Sequence, residues 1–249
     1  MDFWLKFWFT TSGTWINVAT ILIGTTCGFL LQDRLAPRVQ KIVTQAIALV
    51  CIFVSLNMAS NLNRIKAGHL DGTILALVAM ILGGMLGEWW QLEKRLEGIG
   101  DWLKHKFKGS GKFTEGFVAA SLLFCIGPIA IIGSLNNGLR GDNTLLVLKA
   151  VMDGMISIPF TTSFGIGVGF SALSILGYQG SISLLAGAIA QVLPDPTNAP
   201  QILLVSGIGG LLLLGLGLNL LEVTKVNLAA FLPSLVLAPI FYAIAIWFS

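Results

Sequence analysis

The sequence predicts an all-α protein, a polytopic transmembrane helix bundle of eight or nine membrane segments, and three observations carry that expectation. Of 249 residues, 55% are hydrophobic and only 11% charged, where a soluble domain carries roughly 25% charge. Mean hydropathy is +0.85. Apolar runs recur along the whole chain and leave no polar stretch large enough to fold separately, so residues 1–249 read as a single integral membrane domain.

The first four runs, at about 14–31, 42–59, 73–90 and 117–133, each approach the ~17 to 25 residues a spanning helix needs. Beyond them come 145–158, 162–177, 181–193, 201–221 and 233–248, the first three short or interrupted by Gly, Pro and hydroxyl residues. The opening "MDFWLKFWFTTSG" has one lysine among aromatics and neither a long apolar h-region nor a small-residue cleavage site. Trp4, Phe7 and Trp8 are therefore expected at headgroup level as an interfacial anchor.

Orientation follows from the basic residues between runs. The first connection holds three (Arg34, Arg38, Lys41), the second two (Arg64, Lys66) and the third six. By the positive-inside rule the first and third are cytoplasmic and the N-terminus lies outside. The third connection, residues 88–112, spaces Leu92, Leu96, Ile99 and Leu103 by four, three and four, with Glu93, Lys94, Arg95, Glu97 and Asp101 elsewhere around the wheel. That pattern is an amphipathic helix with a basic tail, read either as a surface helix on the inner leaflet or as a helix that docks a partner.

Fifteen Lys and Arg against twelve Asp and Glu give a net charge of +3, too slight and scattered for nucleic-acid binding. Cys27, Cys51 and Cys125 sit at irregular spacing in apolar runs, supporting neither a disulfide framework nor a zinc motif. They read as packing residues. His69 and His105 fall in expected loops without partners at metal spacing.

Against this background residues 133–160, "GSLNNGLRGDNTLLVLKAVMDGMISIPF", are dense in polar groups. A helix starting after Asp142, whose carboxylate can accept from first-turn N–H groups, places Lys149, Asp153 and Ser157 on one face at i, i+4 and i+8. Each ionised residue at mid-bilayer costs roughly 2.5–3.5 kcal/mol on insertion scales, so Lys149 and Asp153 are expected to pair away from lipid. The pair serves either a binding site or helix packing alone. Pro159 is expected to stop or kink the helix near Ile158, with Thr161, Thr162 and Ser163 capping a restart rich in glycine. Such a broken helix implies a cavity that satisfies the freed backbone. Upstream, Asn136, Asn137 and Arg140 offer amide and guanidinium groups on a polar turn; the alternative is a compact loop where Arg140 pairs with Asp142 and Asn137-Gly138 turns the chain.

Asn17, Asn57, Gln179, Ser181, Ser183, Gln191 and Asn219 are further polar residues expected inside the membrane, with Glu88 and Glu222 at helix ends. Each reads as interhelical glue or as ligand. "CIFVSLNMAS" at 51–60 aligns with "LLGLGLNLLE" at 213–222, matching Asn57 to Asn219, and suggests an internal repeat that relates the first three helices to the last three. No GxSxG, HExxH, Walker loop or CxxC pair occurs, so neither an enzyme nor a metal or other cofactor is expected.

The run "GSLNNGLRGDNTLLVLKAVMDGMISIPFTTSFGIGVGFSA", with "YQGSISLLAG", "GTWINVATILIGTTCG" and "GLLLLGLGLNLLEVTKVNLAAFLPSLVLAPI", resembles the YqgA/YdfK-like family of bacterial inner-membrane proteins, a domain of unknown function, over essentially the whole chain. That resemblance implies a multi-pass protein of the bacterial inner membrane and carries no substrate. From the residues themselves the expected function is a secondary transporter for a small polar solute or ion, anionic or zwitterionic, with Asp153 as proton or cation acceptor, Lys149 as its partner and Ser157, Thr161 and Thr162 as neutral ligands. Asn136, Asn137, Arg140 and Asp142 shape the approach, and Asn57, Gln179 and Asn219 are secondary candidates. A membrane scaffold or sensor and a passive channel are the rivals. The lipid bilayer is an expected partner beside the solute or ion, and glycine-rich faces such as "GIGGLLLLGLG" suit packing within one chain or in a homo-oligomer.

Overall fold

The computed structural model describes residues 3–32, 34–109, 111–192 and 199–247. Leu193 and Phe248, at the ends of two expected segments, and the side chains of Trp4 and Gln191 lie outside the described parts. The chain folds into α1 (Phe3–Gln32), α2 (Pro37–Ala59), α3 (Gly72–Trp89), α4 (Leu92–Lys106), α5 (Phe113–Cys125), α6 (Pro128–Arg140), α7 (Thr144–Phe164), α8 (Ser171–Val192), α9 (Pro200–Leu220) and α10 (Pro233–Trp247). A two-residue antiparallel ladder, β1 (Lys66–Ala67) with β2 (Leu70–Asp71), turns the chain from α2 into α3. Among the described residues seven helices are long and apolar enough to span a membrane, and α5 with α6, bent by 64° at the break between them, reaches that length and hydropathy only as a pair.

Two compact units emerge, residues 1–44 with 99–196 and residues 45–98 with 197–249. In the first, α1 and α7 lie side by side in parallel: Gly13 meets Leu146, Gly24 meets Gly154 and Ser157, and Gly28 meets Ile158 and Thr161. A Cβ on Gly24 would strike the Gly154 carbonyl, and one on Gly28 the Ile158 carbonyl, so glycine permits this backbone approach. The Thr20 hydroxyl donates across the same seam to the Ala150 carbonyl at 2.7 Å.

The break expected at Pro159 falls elsewhere. Helix α7 runs through Pro159 to Phe164 and ends at Gly165, whose φ of 81° is a conformation L side chains rarely adopt. Pro159 forfeits only its own N–H, while the Thr162 hydroxyl bonds the Pro159 carbonyl at 2.7 Å. Thr161, Thr162 and Ser163 thus close α7 rather than cap a restart, and a 3₁₀ turn at Ile166–Phe170 leads into α8. The run expected to span from 117 to 133 contains the actual bend: Pro128 excludes Gly127 from the helix and opens α6 at its first turn. The short segments 162–177 and 181–193 merge, beyond the 3₁₀ turn, into α8.

The second unit has an apolar interior in which Leu62, Ile65, Leu75, Ala79, Leu204, Ile208 and Tyr242 pack together. Glu93 of α4 accepts from the Ala229 N–H at 2.8 Å, tying α4 to the connection before α10. Burial raises its carboxyl above the ordinary glutamate range, a shift the Ala229 N–H partly offsets. On α4 the inward line runs through half-buried Leu92 and Leu96 and buried Gly100 and Leu103, while Ile99, expected on that line, is 51% exposed beside an exposed Trp102. His105 lies in the last turn of α4 rather than in a loop.

Gly24→Val is expected to lower the detergent-solubilised melting temperature by the equivalent of about 1–3 kcal/mol, since the carbonyl it strikes cannot yield. Gly187→Ala, which meets open space, should leave the melt unchanged or raise it slightly. Because Glu93 binds its proton more tightly folded than unfolded, its stabilising contribution is complete at acid pH. It is lost as pH rises from the ordinary glutamate value of 4.5 through the raised one. The native protein's melting temperature should therefore fall over that window relative to that of Glu93→Gln, whose side chain does not titrate.

Candidate functional site

Fifteen of the eighteen buried polar side chains among the described residues belong to the first unit, whereas those of the second are Ser55, Ser206 and Ser234. Helix α7 explains how. It turns Leu148, Val151, Met152 and Met155 outward and Lys149, Asp153 and Ser157 inward, the reverse of a soluble amphipathic helix. Lys149 and Asp153 are 8% and 6% exposed and pair one helical turn apart. The expected face is real.

The pair has company that the spacing on α7 alone does not reveal. Asn17 of α1 donates from Nδ2 to Asp153 Oδ2 at 3.0 Å and to Gln179 Oε1 of α8 at 3.3 Å. The Lys149 ammonium also lies 6.0 Å from the Phe124 ring centroid on α5, within cation–π reach. Ser157 returns its hydroxyl to the Asp153 carbonyl at 2.7 Å. Four helices thus meet around the Lys149–Asp153 pair, α1 at the carboxylate, α8 through Asn17 and α5 beside the ammonium.

This network has a direction. A carboxylate only accepts, so Asn17 must present its NH₂ to Asp153, and Gln179 must then present its oxygen to Asn17. What remains is an acceptor, Asn17 Oδ1, and a donor, Gln179 Nε2, both fully buried and without a partner. Thr14, Thr25, Ser134 and Thr161 carry buried hydroxyls in the same condition, all in the first unit. Buried polar groups of this kind are normally satisfied by water or ligand.

The upstream polar stretch serves another end. Asn136, Asn137 and Gly138 lie within α6 rather than on a turn, and the chain turns at Gly141, with φ of 70°. Asn137 accepts from the Gly13 N–H and donates to the Phe9 carbonyl, each at 2.9 Å. An α-helix normally joins those two groups to each other, so the amide docks α6 into the backbone of α1. Asn143 adds a bond to the Ser12 hydroxyl at 3.1 Å. Asn136 is half-buried, and Arg140 and Asp142 are exposed; no contact among the described residues joins these three to the Lys149–Asp153 pair. Asp142 accepts from the Thr144 hydroxyl and N–H at 2.7 and 3.0 Å, as expected of a residue that starts α7. Those two bonds hold its carboxyl below the ordinary range.

Thr161 and Thr162 are buried near the end of α7. Asn57 is exposed and bonds its own helix at the Phe53 carbonyl, so burial fails for it, as it does for exposed Ser181. Asn219 clasps Val226 through both its N–H and its carbonyl at 2.8 Å each. Of the sequence-derived candidates, then, Lys149, Asp153, Ser157 and Gln179 come together. Asn17 joins them; its signal was the face it shares with Thr14, Ile21 and Thr25 on α1.

Asn137→Ala should cost about 1–3 kcal/mol in an unfolding titration, because it removes a buried amide and the two hydrogen bonds that join α6 to α1, whereas Asn136→Ala should be close to neutral.

No solved structure matches the chain. Uncharacterized membrane protein YdfK of Bacillus subtilis strain 168 is 32% identical over 231 residues, covering 92% of this chain and 94% of that protein. Uncharacterized protein YqgA of Escherichia coli strain K12 is 31% identical over 245 residues, covering 95% and 99%. The family described as "Protein of unknown function (DUF554)" matches residues 12–243, so it takes in the Lys149–Asp153 pair and the Asn17–Gln179 bridge together, and the chain belongs to it.

Proposed function

We propose that this membrane protein is a secondary transporter for a small polar solute or ion, with its site at Asn17, Lys149, Asp153 and Gln179. The observation that carries this reading is the pair of unpartnered atoms, Asn17 Oδ1 and Gln179 Nε2, held by a buried carboxylate network inside a helix bundle. An apolar core locks helices together more cheaply than a buried ion pair does, and the second unit is built in that way. The first unit instead accepts the cost of desolvating charge and leaves a donor and an acceptor free.

In this scheme Asp153 takes up a proton or cation. Neutralised, it no longer compels Asn17 to present its NH₂, so the amide can reverse and Gln179 with it, exchanging the donor and acceptor offered to a solute. Lys149 supplies the compensating charge and favours a solute with an anionic or carbonyl group at Gln179. The basic residues of the first and third connections support a cytoplasmic position for those loops and an N-terminus on the outer side of the bacterial inner membrane. Gathering α1 and α8 in one unit and α3, α9 and α10 in the other fits the proposed internal repeat.

The test is solute-driven charge displacement in proteoliposomes challenged with amino acids, organic acids, simple cations and pH steps. A saturable signal is expected, lost by at least tenfold in Asp153→Asn. Since that variant strands Lys149, the double variant Lys149→Met/Asp153→Asn, which removes both charges, should fold and remain silent. Undiminished flux in the double variant would refute the assignment, and a folded native protein silent across the panel would favour a scaffold.

A further inference from the structure

The second unit contains a surface groove of about 670 Å³ that the transport reading does not use. One wall is a single face of α3, where Ile81, Gly84, Met85 and Glu88 follow at i, i+3, i+4 and i+7. The other is the connection between α9 and α10, which contributes Lys225, Asn227, Ala230 and Phe231. Gly84 lets the Phe231 ring lie against the helix, since a Cβ there would come within 2.8 Å of the ring edge.

The second wall is held in place from both sides of Asn227. Asn219 grips Val226 by its N–H and its carbonyl, and Glu93 holds the Ala229 N–H. Gly87 brings α3 against the Ala230 carbonyl. Thus the groove is a built feature of the fold, and its shape does not depend on an occupant.

Its chemistry is divided along its length. Ile81 and Met85 are 53% and 65% exposed and stand toward the middle of the α3 span. Glu88 and Lys225, both exposed, carry opposite charges at its end and form no ion pair with each other among the described residues. Trp89 and Trp90, 77% and 48% exposed, follow directly after Glu88, which sets that end at the level where aromatic side chains meet headgroups.

We infer that this groove binds one phospholipid with a zwitterionic, primary-ammonium headgroup, the ammonium on Glu88, the phosphate on Lys225 and Asn227, and an acyl chain along Ile81, Met85 and Phe231. A quaternary ammonium has no N–H to give Glu88, and a purely anionic headgroup leaves Glu88 unmatched. Charge complementarity selects the headgroup, while the apolar half of α3 selects an amphiphile over a free ion.

Native mass spectrometry of the purified protein in mild detergent tests this, with titrations of dioleoyl phosphatidylethanolamine, phosphatidylcholine and phosphatidylglycerol. One phosphatidylethanolamine should be retained about tenfold more tightly than either other lipid, the worth of one charge-assisted hydrogen bond. Glu88→Ala should erase its advantage over phosphatidylcholine, and Lys225→Gln should weaken both zwitterionic lipids about tenfold. Both side chains are exposed, so neither change threatens the fold. Asn219→Ala, which loosens the wall without altering charge at the groove, should lower occupancy as well. Equal retention of all three lipids by the native protein, or a preference unchanged in both charge variants, would overturn the assignment.

Discussion

A lysine and an aspartate on a membrane helix must be enclosed by protein or water, and the first unit is organised by that constraint. The Lys149–Asp153 pair occupies the inward face of α7, so α1 has to approach closely enough to bring an amide to the carboxylate. Glycines at 24, 28 and 154 make that approach possible. Asn17 then reaches Asp153, Gln179 reaches Asn17, and α8 is fixed to the same point. At the other end of the seam, the Asn137 amide stands between two backbone groups of α1 and secures α6.

The two units show two solutions to helix packing without a water-driven hydrophobic effect between spans. The second relies on close apolar contact around Leu75, Leu204 and Tyr242, with serines as its buried polar side chains among the described residues. The first uses directional bonds. Such a network specifies geometry more sharply than apolar contact does, but its value depends on every member being satisfied. The partnerless atoms of Asn17 and Gln179 are therefore the most informative feature of the interior.

Much of this was legible in residue order. Composition and run length identify the helical membrane fold, and the i, i+4, i+8 spacing of Lys149, Asp153 and Ser157 identifies the inward face of α7. The break did not follow from Pro159, because a proline removes only one helix bond and the Thr162 hydroxyl supports the turn that carries it. Pro128 did break its helix, since it excludes Gly127 and starts a new axis. The Asn136–Asn137 pair read as a turn because Asn-Gly favours one locally; its place in α6 is set by a bond to α1 more than a hundred residues away. Asn17 was visible as a polar residue, but its partnership with Asp153 depends on the parallel docking of α1 on α7, which no local pattern encodes.

A transport site at Asp153, as proposed, requires that the interior around it hydrate and open to water. Ser157, one turn beyond Asp153 and fully buried, is the place to ask. In a background with Cys27, Cys51 and Cys125 replaced, Ser157→Cys in lipid vesicles would be exposed to a small, charged, membrane-impermeant thiol reagent. Labelling from the aqueous phase, slowed when Asp153 is also replaced by Asn, is the predicted result. A thiol that reacts only after unfolding would rule out a water-accessible site and leave the charged pair a packing device.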